Sequence, residues 1–556
     1  MNPQKKLPYQ NERTYTEEQK TFLAPYLSDS DSDIFVLKNL DGIVGAAFAR
    51  YSRQKGGVKD TLLELVVNEK LDPVKSTELM ERILIQYGDD SVGELEGAHL
   101  ALENISNLAT KEIEDRRIGG SPIEQSTRYV VYDQRDINGN YPYYRDDTII
   151  NSEVGELYIK NLDRIFDIYC ELQEPVKNFL STKKPLEEAE YDIMGKGTKQ
   201  KYSEMSDEKL QKDFKRTYNI DLKTKTCDIL RVLLPAATLS NVGLFGNGRF
   251  YQYLLSHLYT NEIPEMNAIA QKAHTALNQR IPVYVKRAKK NDYVVRRNDQ
   301  IKQLVAELFA GIKPKKVKEA KVILLKRPKN DAEFIINVCA DALFPFTGFS
   351  QEELRKHLKN LEKKNPGTLQ KVIDITIGDR QTRRDRAPRG YEYGYPFTFE
   401  LTNDYGIYRD LERHRMLTQQ RQLLNPYLGY NLPQEIIDAG LEDQVKKAFK
   451  LSARLYEAMK EALGPAIAQY AVCFGYNVRY TMGMNLREVQ HFTELRSAPQ
   501  GHINYRRVAQ QMAKMMPPEF QKMLQFVDYG DHYWARGDSE ARQRQKERLL
   551  DEKYGK

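Results

Sequence analysis

The sequence predicts an α+β protein made of two tandem copies of one fold. The chain has 556 residues, which is more than one hydrophobic core usually organises. The segments 34–52 and 321–350 each predict a strand followed by a helix, so the two halves open alike. The same order of motifs then follows in both halves, an Arg-rich segment and later an Asn-x-Arg before a helix, at 114–130 and 247–257 and again at 412–427 and 485–496.

The first copy is predicted to carry an insertion. Its Arg-rich segment and its Asn-x-Arg lie further apart than those of the second copy. The Lys-rich segment 181–215 between them has no clear apolar period, which is typical of a surface excursion or a partly disordered loop. We therefore predict the following bounds: a first domain at 30–284 with the insertion near 181–215, a basic linker at 285–320, a second domain at 321–535 and a charged helical tail at 536–556.

Local patterns predict further elements in the second copy. Residues 395–401 alternate apolar with other side chains, which is the pattern of a half-buried strand, and a helix is predicted to follow it. Residues 443–464 predict a helix that Gly464 and Pro465 end. The apolar face of that helix is predicted to carry Val445, Phe449, Leu455 and Met459.

The composition is that of a globular protein, with 40% hydrophobic and 10% aromatic residues. The opening segment has no apolar core of a signal peptide, and apolar stretches such as 45–50 are too short to span a bilayer. We therefore expect a cytoplasmic protein without a membrane partner.

Cysteine spacing and charge narrow the class of protein further. The four cysteines form no Cys-x-x-Cys pair, so we predict neither a metal site nor a disulfide framework, and buried thiols instead. A net charge of +7 favours an anionic partner only weakly and does not imply nucleic acid. The basic joint at 285–321 could contact nucleic acid, but a solvated linker is the more common cause of such a charge run. The cysteines are Cys170, Cys227, Cys339 and Cys473.

The densest group of polar residues lies after the strand predicted at 395–401. Three guanidinium groups near a helix end suit a phosphate or a carbonyl-rich ring. The alternative is a surface helix whose arginines pair with neighbouring acids, and from spacing alone that alternative is the more common. The group comprises Arg409, Asp410, Arg413, His414 and Arg415.

A second polar group lies in the first copy. Glu124, Ser126 and Arg128 follow the Gly-rich segment 119–122, and their alternate spacing places them on one side of an extended loop. Such a loop either holds a phosphate or caps a helix.

Together these motifs resemble the flavin-dependent thymidylate synthases. RHRMLT at 413–418 is similar to the family signature RHRxxS, with Thr418 in place of the serine. The Ser-x-x-Glu-x-Ser-x-Arg at 121–128 looks like the continuation of that signature. The resemblance covers most of the chain twice and extends to a Ser-Val-x-Glu segment at 88–100, to Arg-x-x-Leu-Pro at 231–235 and to both Asn-x-Arg segments.

The two copies depart from the family pattern at different points, so each looks incomplete alone. The second copy has Leu423 and Asn425 where the Ser and Arg of Ser-x-Arg belong, and Gln469 at the arginine of Arg-x-x-Leu-Pro. The first copy reads Glu-Asp-Arg at 114–116 in place of Arg-His-Arg, and its counterpart of Arg496 is Leu258. Because family sites form between subunits, the resemblance implies one composite site per chain and a dead reciprocal interface.

The resemblance implies roles for individual residues. Arg496 would polarise a uracil carbonyl while reduced flavin delivers hydride, so no protein nucleophile is required. Arg128 and Arg231 would meet the charge of a nucleotide phosphate, to which Ser126 adds a hydroxyl donor. The implied residues are Arg496, Ser126 and Arg413 for catalysis; Arg413, His414, Arg415, Asn485, Arg487, His491 and Glu392 for the cofactor; and Glu124, Ser126, Arg128, Arg231, Asp410 and Arg496 for the substrate.

The resemblance further implies two copies of the flavin-dependent thymidylate synthase fold, with FAD as cofactor. The implied reaction is reductive methylation of dUMP to dTMP, with methylenetetrahydrofolate and NADPH as co-substrates, in a homodimer of tandem chains. Asp410 stands where the family usually has Gln, and Gln500 where a His is common, so a related pyrimidine nucleotide is an alternative substrate. A degenerate nucleotide-binding pseudoenzyme is a second alternative.

Overall fold

The computed structural model describes residues 15–32, 34–40, 44, 48, 57–64, 94–116, 118–195, 197–308, 310, 320–343, 351–378, 380–381, 389–392, 394, 396–538, 540–542 and 545–546. No helix within these ranges combines the length and the apolar character needed to cross a membrane. The strand predicted at the start of 34–52 is wrong, because residues 34–40 form no strand and Leu37 makes only an isolated bridge with Leu27. Most of the helix predicted after it lies outside the described residues.

The described residues form many helices and small sheets, which fits the predicted α+β class. The strands are β1 Gly97–Ser106, β2 Gly120–Glu124, β3 Glu190–Tyr191, β4 Gln200–Lys201, β5 Leu239–Asn247, β6 Lys321–Lys326, β7 Phe397–Asp404, β8 Thr418–Arg421 and β9 Asn477–Met484.

The α-helices are α1 Glu17–Leu23, α2 Val58–Leu63, α3 Asn107–Glu114, α4 Asp147–Ile150, α5 Gly155–Glu171, α6 Gln173–Lys183, α7 Glu208–Leu230, α8 Gly248–Thr260, α9 Pro264–Asn278, α10 Pro282–Val285, α11 Asp292–Leu308, α12 Asp331–Leu343, α13 Gln351–Lys364, α14 Thr368–Ile377, α15 Tyr405–Leu411, α16 Gln434–Asp438, α17 Glu442–Ala468, α18 Leu486–Arg496, α19 Ile503–Lys514 and α20 Pro518–Gln521.

The first of two compact units comprises residues 1–102, 116–123 and 242–310. It contains most of a three-stranded sheet in which β5 lies between β1 and β2. Helix α8 begins directly after β5 because the Asn247 side chain accepts a hydrogen bond from the backbone N–H of Phe250, at 2.8 Å. The asparagine of the first Asn-x-Arg is therefore a helix cap.

The second unit comprises residues 103–115, 124–241 and 311–556. It contains a four-stranded antiparallel sheet with the order β6-β7-β9-β8. The strand and helix predicted from 321–350 are confirmed as β6 and α12. This grouping places 124–241 with the carboxyl-terminal half of the chain, while the duplication and the domain bounds inferred from the repeat stay predictions.

The strand predicted at 395–401 is confirmed as β7. Phe397, Phe399 and Leu401 are fully buried and alternate with half-buried residues, because successive side chains of a strand point to opposite faces. Beside it in the sheet, β9 pairs in register from Phe397 with Met484 to Asp404 with Asn477. Helices α15 and α18 begin directly after β7 and β9, and they carry predicted site residues.

The helix predicted at 443–464 is confirmed as α17, whose predicted apolar face is fully buried. Gly464 has a φ of +83° and breaks the regular helix before Pro465, after which one further helical turn follows. The buried residues of the predicted face are Val445, Phe449, Leu455 and Met459.

The insertion near 181–215 has secondary structure, which corrects the expectation of a partly disordered loop. Strands β3 and β4 form an antiparallel hairpin with Tyr191 opposite Gln200. The Tyr191 side chain is fully buried, and its hydroxyl donates to Asp221 at 2.7 Å. Lys184 lies 2.9 Å from the same carboxylate. Buried side chains, Tyr191 and Phe214 among them, and the ion pair of Lys184 with Asp221 therefore order a segment that is rich in charged residues.

The other predicted connections are also largely helical. The predicted linker contains α11, while 311–319 lie outside the described residues. The predicted tail is helical at 535–538 and at 540–542, and 547–556 lie outside the described residues. Of the cysteines, three are buried as predicted and Cys170 is half-buried.

Ser452 ties α17 to the segment before β9. Its buried hydroxyl donates to the Ala471 carbonyl at 2.6 Å and accepts from the Cys473 N–H at 3.2 Å. We expect Ser452→Ala to lower the free energy of unfolding by about 1–3 kcal/mol, because two buried backbone groups lose a partner. Urea denaturation checks this against Ser181→Ala, since the Ser181 hydroxyl bonds only the Asn178 carbonyl at the surface. Equal losses in both variants would contradict the assignment.

Candidate active site

Helix α15 carries the first group of site residues into the interior of the second unit. Asp404 caps it, because one carboxylate oxygen accepts from the Ile407 N–H at 3.0 Å and the other from Asn431 at 3.1 Å. Burial raises the pKa of Asp404 to about 6. Arg409 is buried on the last turn, so the alternative of a solvated surface helix is wrong.

Helix α18 begins directly after β9 and carries the site residues Arg487, His491 and Arg496. The Asn485 side chain accepts from the Glu488 N–H at 2.8 Å and donates to the Glu392 carbonyl at 2.9 Å. Arg487 forms an ion pair with the Glu392 side chain. The Asn-x-Arg of the second copy thus fixes both the start of a helix and the position of residue 392.

His414 is held between a cation and an acid. Arg496 Nε lies 2.9 Å from His414 Nε2, and because a guanidinium can only donate, Nε2 must accept. The ring proton therefore sits on Nδ1 and donates to Glu488 at 2.7 Å. Burial, with a smaller contribution from Arg496, holds the pKa of His414 well below its ordinary value. The imidazole is neutral at physiological pH.

These side chains line one cavity of about 350 Å³. It includes all seven residues predicted to bind the cofactor, together with Arg496. Their placement in one wall agrees with the prediction, while their roles stay a prediction. The lining residues are Arg380, Glu392, Arg413, His414, Arg415, Met416, Asn485, Arg487, Glu488, Gln490, His491, Glu494, Leu495 and Arg496.

Most of the cavity's charge is neutralised inside the chain. Three of its arginines form ion pairs with carboxylates, and one of these pairs is bidentate, at 3.0 and 2.8 Å. Such pairs keep a crowded cluster of guanidinium groups stable at low exposure. The pairs are Arg380 with Glu494, Arg413 with Glu124, and Arg487 with Glu392.

Arg496 differs from these three arginines. Its only hydrogen-bond partner among the described residues is the neutral ring of His414, and none of the ion pairs found there includes it. Burial lowers the pKa of Arg496. A half-buried cation without a carboxylate partner attracts negative charge from a bound ligand.

Glu124 connects the two halves of the chain within the second unit. Its carboxylate accepts from Arg409, from Arg413 at 2.7 Å and from Lys111 at 3.0 Å, and 1% of its side chain is exposed. Burial alone would raise the pKa of Glu124, but the three cations outweigh it and hold the pKa well below its ordinary value. The loop of the first copy is therefore anchored on the Arg-His-Arg segment of the second.

Glu412 lies beside this group but does not pair with the arginines. It is buried, its Oε2 lies 3.8 Å from Lys111, and it accepts from the Tyr408 hydroxyl at 3.2 Å. Burial raises the pKa of Glu412 to about 8, so the group is protonated at neutral pH.

The arginines predicted to grip a phosphate also have partners. Arg128 donates two bonds to Asp228, at 2.7 and 2.8 Å, and its backbone N–H donates to the Ser126 hydroxyl at 3.3 Å. Arg231 donates to Asp410 at 3.0 Å. Both arginines are buried.

One aromatic ring joins the phosphate loop to the wall of the main cavity. The guanidinium carbon of Arg128 lies 6.0 Å from the ring centre of Tyr505, and that of Arg496 lies 5.8 Å from it. The arginines predicted to bind the phosphate nevertheless line cavities other than that of Arg496. Arg128 borders a cavity of about 20 Å³, and Arg231 borders one of about 620 Å³. The structure thus brings the predicted residues together as one cluster around Asp410, but not into one cavity.

The equivalent helix start in the first unit is packed by the chain itself. Gly119 and Gly120 lie so close to Asn247 and to the Phe250 ring that a β-carbon at either position would clash with them. Arg249, the arginine of the first Asn-x-Arg, pairs with Glu94 at 2.7 Å. The prediction that the reciprocal interface is dead stays a prediction.

Five residues of the cluster escape prediction from sequence: Lys111, Asp228, Arg380, Glu488 and Tyr505. Two of them had local signals. Asp228 precedes the arginine of Arg-x-x-Leu-Pro by three residues on one helix face, and Glu488 directly follows the Asn-x-Arg. For the other three, the contact arises only in the folded chain.

The cavity fits an extended anionic ligand with an apolar part. Arg415 and Arg487 offer guanidinium donors, and the start of α18 adds backbone N–H groups and the positive end of a helix dipole. Met416 and Leu495 supply apolar surface. A diphosphate joined to an aromatic ring, as in a flavin dinucleotide, satisfies these groups.

We expect Glu124→Gln to lower the free energy of unfolding by about 3 kcal/mol or more, because three cations then share a neutral partner. Glu171→Gln is the matched control, since Glu171 pairs with Arg164 at 2.7 Å on the surface with half of its side chain exposed. Its loss should stay under about 1 kcal/mol. Urea denaturation of both variants compares the two, and similar losses would show that Glu124 is not a structural anchor.

Comparison with known proteins assigns the family. Residues 39–283 and 392–520 match the model of the thymidylate synthase complementing protein. A UPF0159 protein of Chlamydia muridarum is 35% identical over 96% of this chain and 99% of its own length. A UPF0159 protein of Thermoplasma acidophilum is 31% identical over 90% of this chain and 98% of its own length. The chain therefore belongs to the thymidylate synthase complementing protein family.

Proposed function

We propose that the chain is a flavin-dependent thymidylate synthase, which converts dUMP to dTMP with methylenetetrahydrofolate as carbon donor and NADPH as reductant. The placement of Arg496 is the main support for this proposal. It lies in the cavity with all residues predicted to bind FAD, and its hydrogen-bond partner is a neutral imidazole. A guanidinium kept in this state stabilises negative charge as it develops on a uracil carbonyl.

The geometry of His414 supports this role for Arg496. Because Nε2 accepts from Arg496 Nε, the imidazole fixes the plane of the guanidinium and leaves its two terminal amino groups for a ring carbonyl. Glu488 in turn fixes the ring through Nδ1. The three side chains thus form a chain of hydrogen bonds that orients the cation before a substrate arrives.

Cofactor binding is assigned to the other side of the same cavity. Arg415, Arg487 and the start of α18 would bind the diphosphate of FAD, while Asn485 and Glu392 shape the wall beside them. His491 contributes an aromatic edge, with its ring centre 5.5 Å from that of His414. When bound, FAD supplies the hydride that reduces the methylene group.

The nucleotide is assigned to the cluster of first-copy residues beside this cavity. Ser126, Arg128 and Arg231 would hold its phosphate, and Glu124 would position Arg413 at the border with the flavin. The Tyr505 ring is a common neighbour of Arg128 and Arg496, which supports binding of the phosphate and the uracil of one nucleotide by these two arginines. The homodimer of tandem chains stays part of the proposal.

We expect purified full-length protein to carry flavin and to form dTMP from dUMP when both co-substrates are supplied. Arg496→Gln should lower kcat about 10² to 10³-fold, because a donor to the developing negative charge is lost. The visible absorption spectrum should still show bound flavin. Product chromatography and the spectrum measure both properties.

Arg454→Gln is the control for this substitution. It removes the same charge, but Arg454 is exposed on the surface of α17. It should keep the wild-type kcat. An Arg496→Gln variant with unchanged turnover would contradict the role of Arg496. A colourless protein that binds dUMP without turnover would favour a pseudoenzyme, and turnover on a different pyrimidine nucleotide alone would favour the related flavoenzyme.

A further inference from the structure

The two arginines assigned to the phosphate differ in how firmly their carboxylate partners are held, although the Arg231 side chain is itself only 3% exposed. Arg128 makes a bidentate pair with Asp228 in which about a tenth of either side chain is exposed, 11% and 10%. Arg231 makes a single bond from Nη2 to Asp410, whose side chain is 22% exposed. A bidentate, doubly buried pair is hard to separate, whereas a single-bonded, more exposed carboxylate can be displaced.

Asp410 lies at the centre of the positive charge of this cluster. Arg231 contacts it directly, and the guanidinium groups at 128, 413 and 496 act on it as well. Burial raises the pKa of Asp410, but these four cations outweigh it and hold the pKa at about 2. The carboxylate is therefore ionised at any physiological pH and contributes a full negative charge at this point.

We propose that Asp410 acts as an internal counter-ion that occupies the place of the nucleotide phosphate on Arg231, and so determines substrate specificity. This inference rests on the proposed function of the same site. A phosphate dianion must displace Asp410 from Arg231 and then remain close to a like charge. The phosphate should therefore add little to affinity, and the chain should distinguish dUMP from deoxyuridine only weakly.

The same charge balance separates Asp410 from a residue that reads the base. A side chain that contacts uracil changes the affinity for nucleotide and nucleoside alike. A side chain that competes with the phosphate changes the affinity for the nucleotide alone. The ratio of the two dissociation constants is therefore the quantity that identifies the role of Asp410.

Isothermal titration of the FAD-loaded full-length chain with dUMP, deoxyuridine and inorganic phosphate tests the proposal. In the wild-type protein we expect dUMP to bind less than about tenfold more tightly than deoxyuridine. Asp410→Asn should raise that ratio at least about tenfold through tighter dUMP binding, and should add measurable binding of inorganic phosphate. The melting temperature and the flavin spectrum establish that the variant is folded, and Asp410→Gln serves as a second variant.

Asp438→Asn is the matched control, because it makes the same charge change in the wall of the cavity that Arg231 borders. Asp438 accepts from Gln434 at 2.8 Å and does not contact Arg231. It should leave the ratio of dissociation constants unchanged.

Two results overturn the proposal. One is an unchanged ratio in Asp410→Asn together with no gain of phosphate binding, and the other is an equal change for dUMP and deoxyuridine. The titration with inorganic phosphate tests the role of Asp410 even if neither dUMP nor deoxyuridine binds. In that case the proposed function fails, while a gain of phosphate binding still supports the counter-ion role of Asp410.

Discussion

A single carboxylate, that of Glu124, accepts hydrogen bonds from Lys111, Arg409 and Arg413 with 1% of its side chain exposed. Separating a buried anion from three cations costs much free energy, so these ion pairs fix the position of the loop that carries Glu124. Ser126 and Arg128 follow on the same loop and are held beside the second copy's helix as a consequence. In the proposed function, the position of the nucleotide phosphate relative to the flavin would therefore depend on this anchor.

Around the anchor, charge is balanced almost residue by residue. Glu124 neutralises Arg413, and Asp410 neutralises Arg231. Asp228 neutralises Arg128 through a bidentate ion pair. Arg496 is the exception, because its partner is an imidazole that burial keeps neutral. Among the described residues no carboxylate forms an ion pair with Arg496, although Asp410 acts on it at longer range. Its charge suits the proposed reaction, in which negative charge appears on one ring atom.

Sequence reasoning recovered the motif-bearing elements and missed the residues that pair with them. The strand before α15, the caps Asn247 and Asn485 and the apolar face of α17 follow from local period and composition, which the chain displays directly. The partners of the arginines are distant in sequence, as Lys111 and Arg409 are, so no window of residues reveals them. The sequence left the segment near 181–215 open between a surface excursion and a partly disordered loop, because the side chains that order it, such as Tyr191 and Phe214, are spaced among charged residues.

The proposal of one composite site per chain implies that the corresponding region of the first copy binds no flavin. Titration of the flavin-free full-length chain with FAD, followed by fluorescence quenching, measures the number of sites directly. We expect one tight site per chain, whose affinity for FAD falls when Arg487 is replaced by Gln and is unchanged when Arg249 is replaced by Gln. Two sites of equal affinity, or a loss caused by the Arg249 substitution, would contradict it.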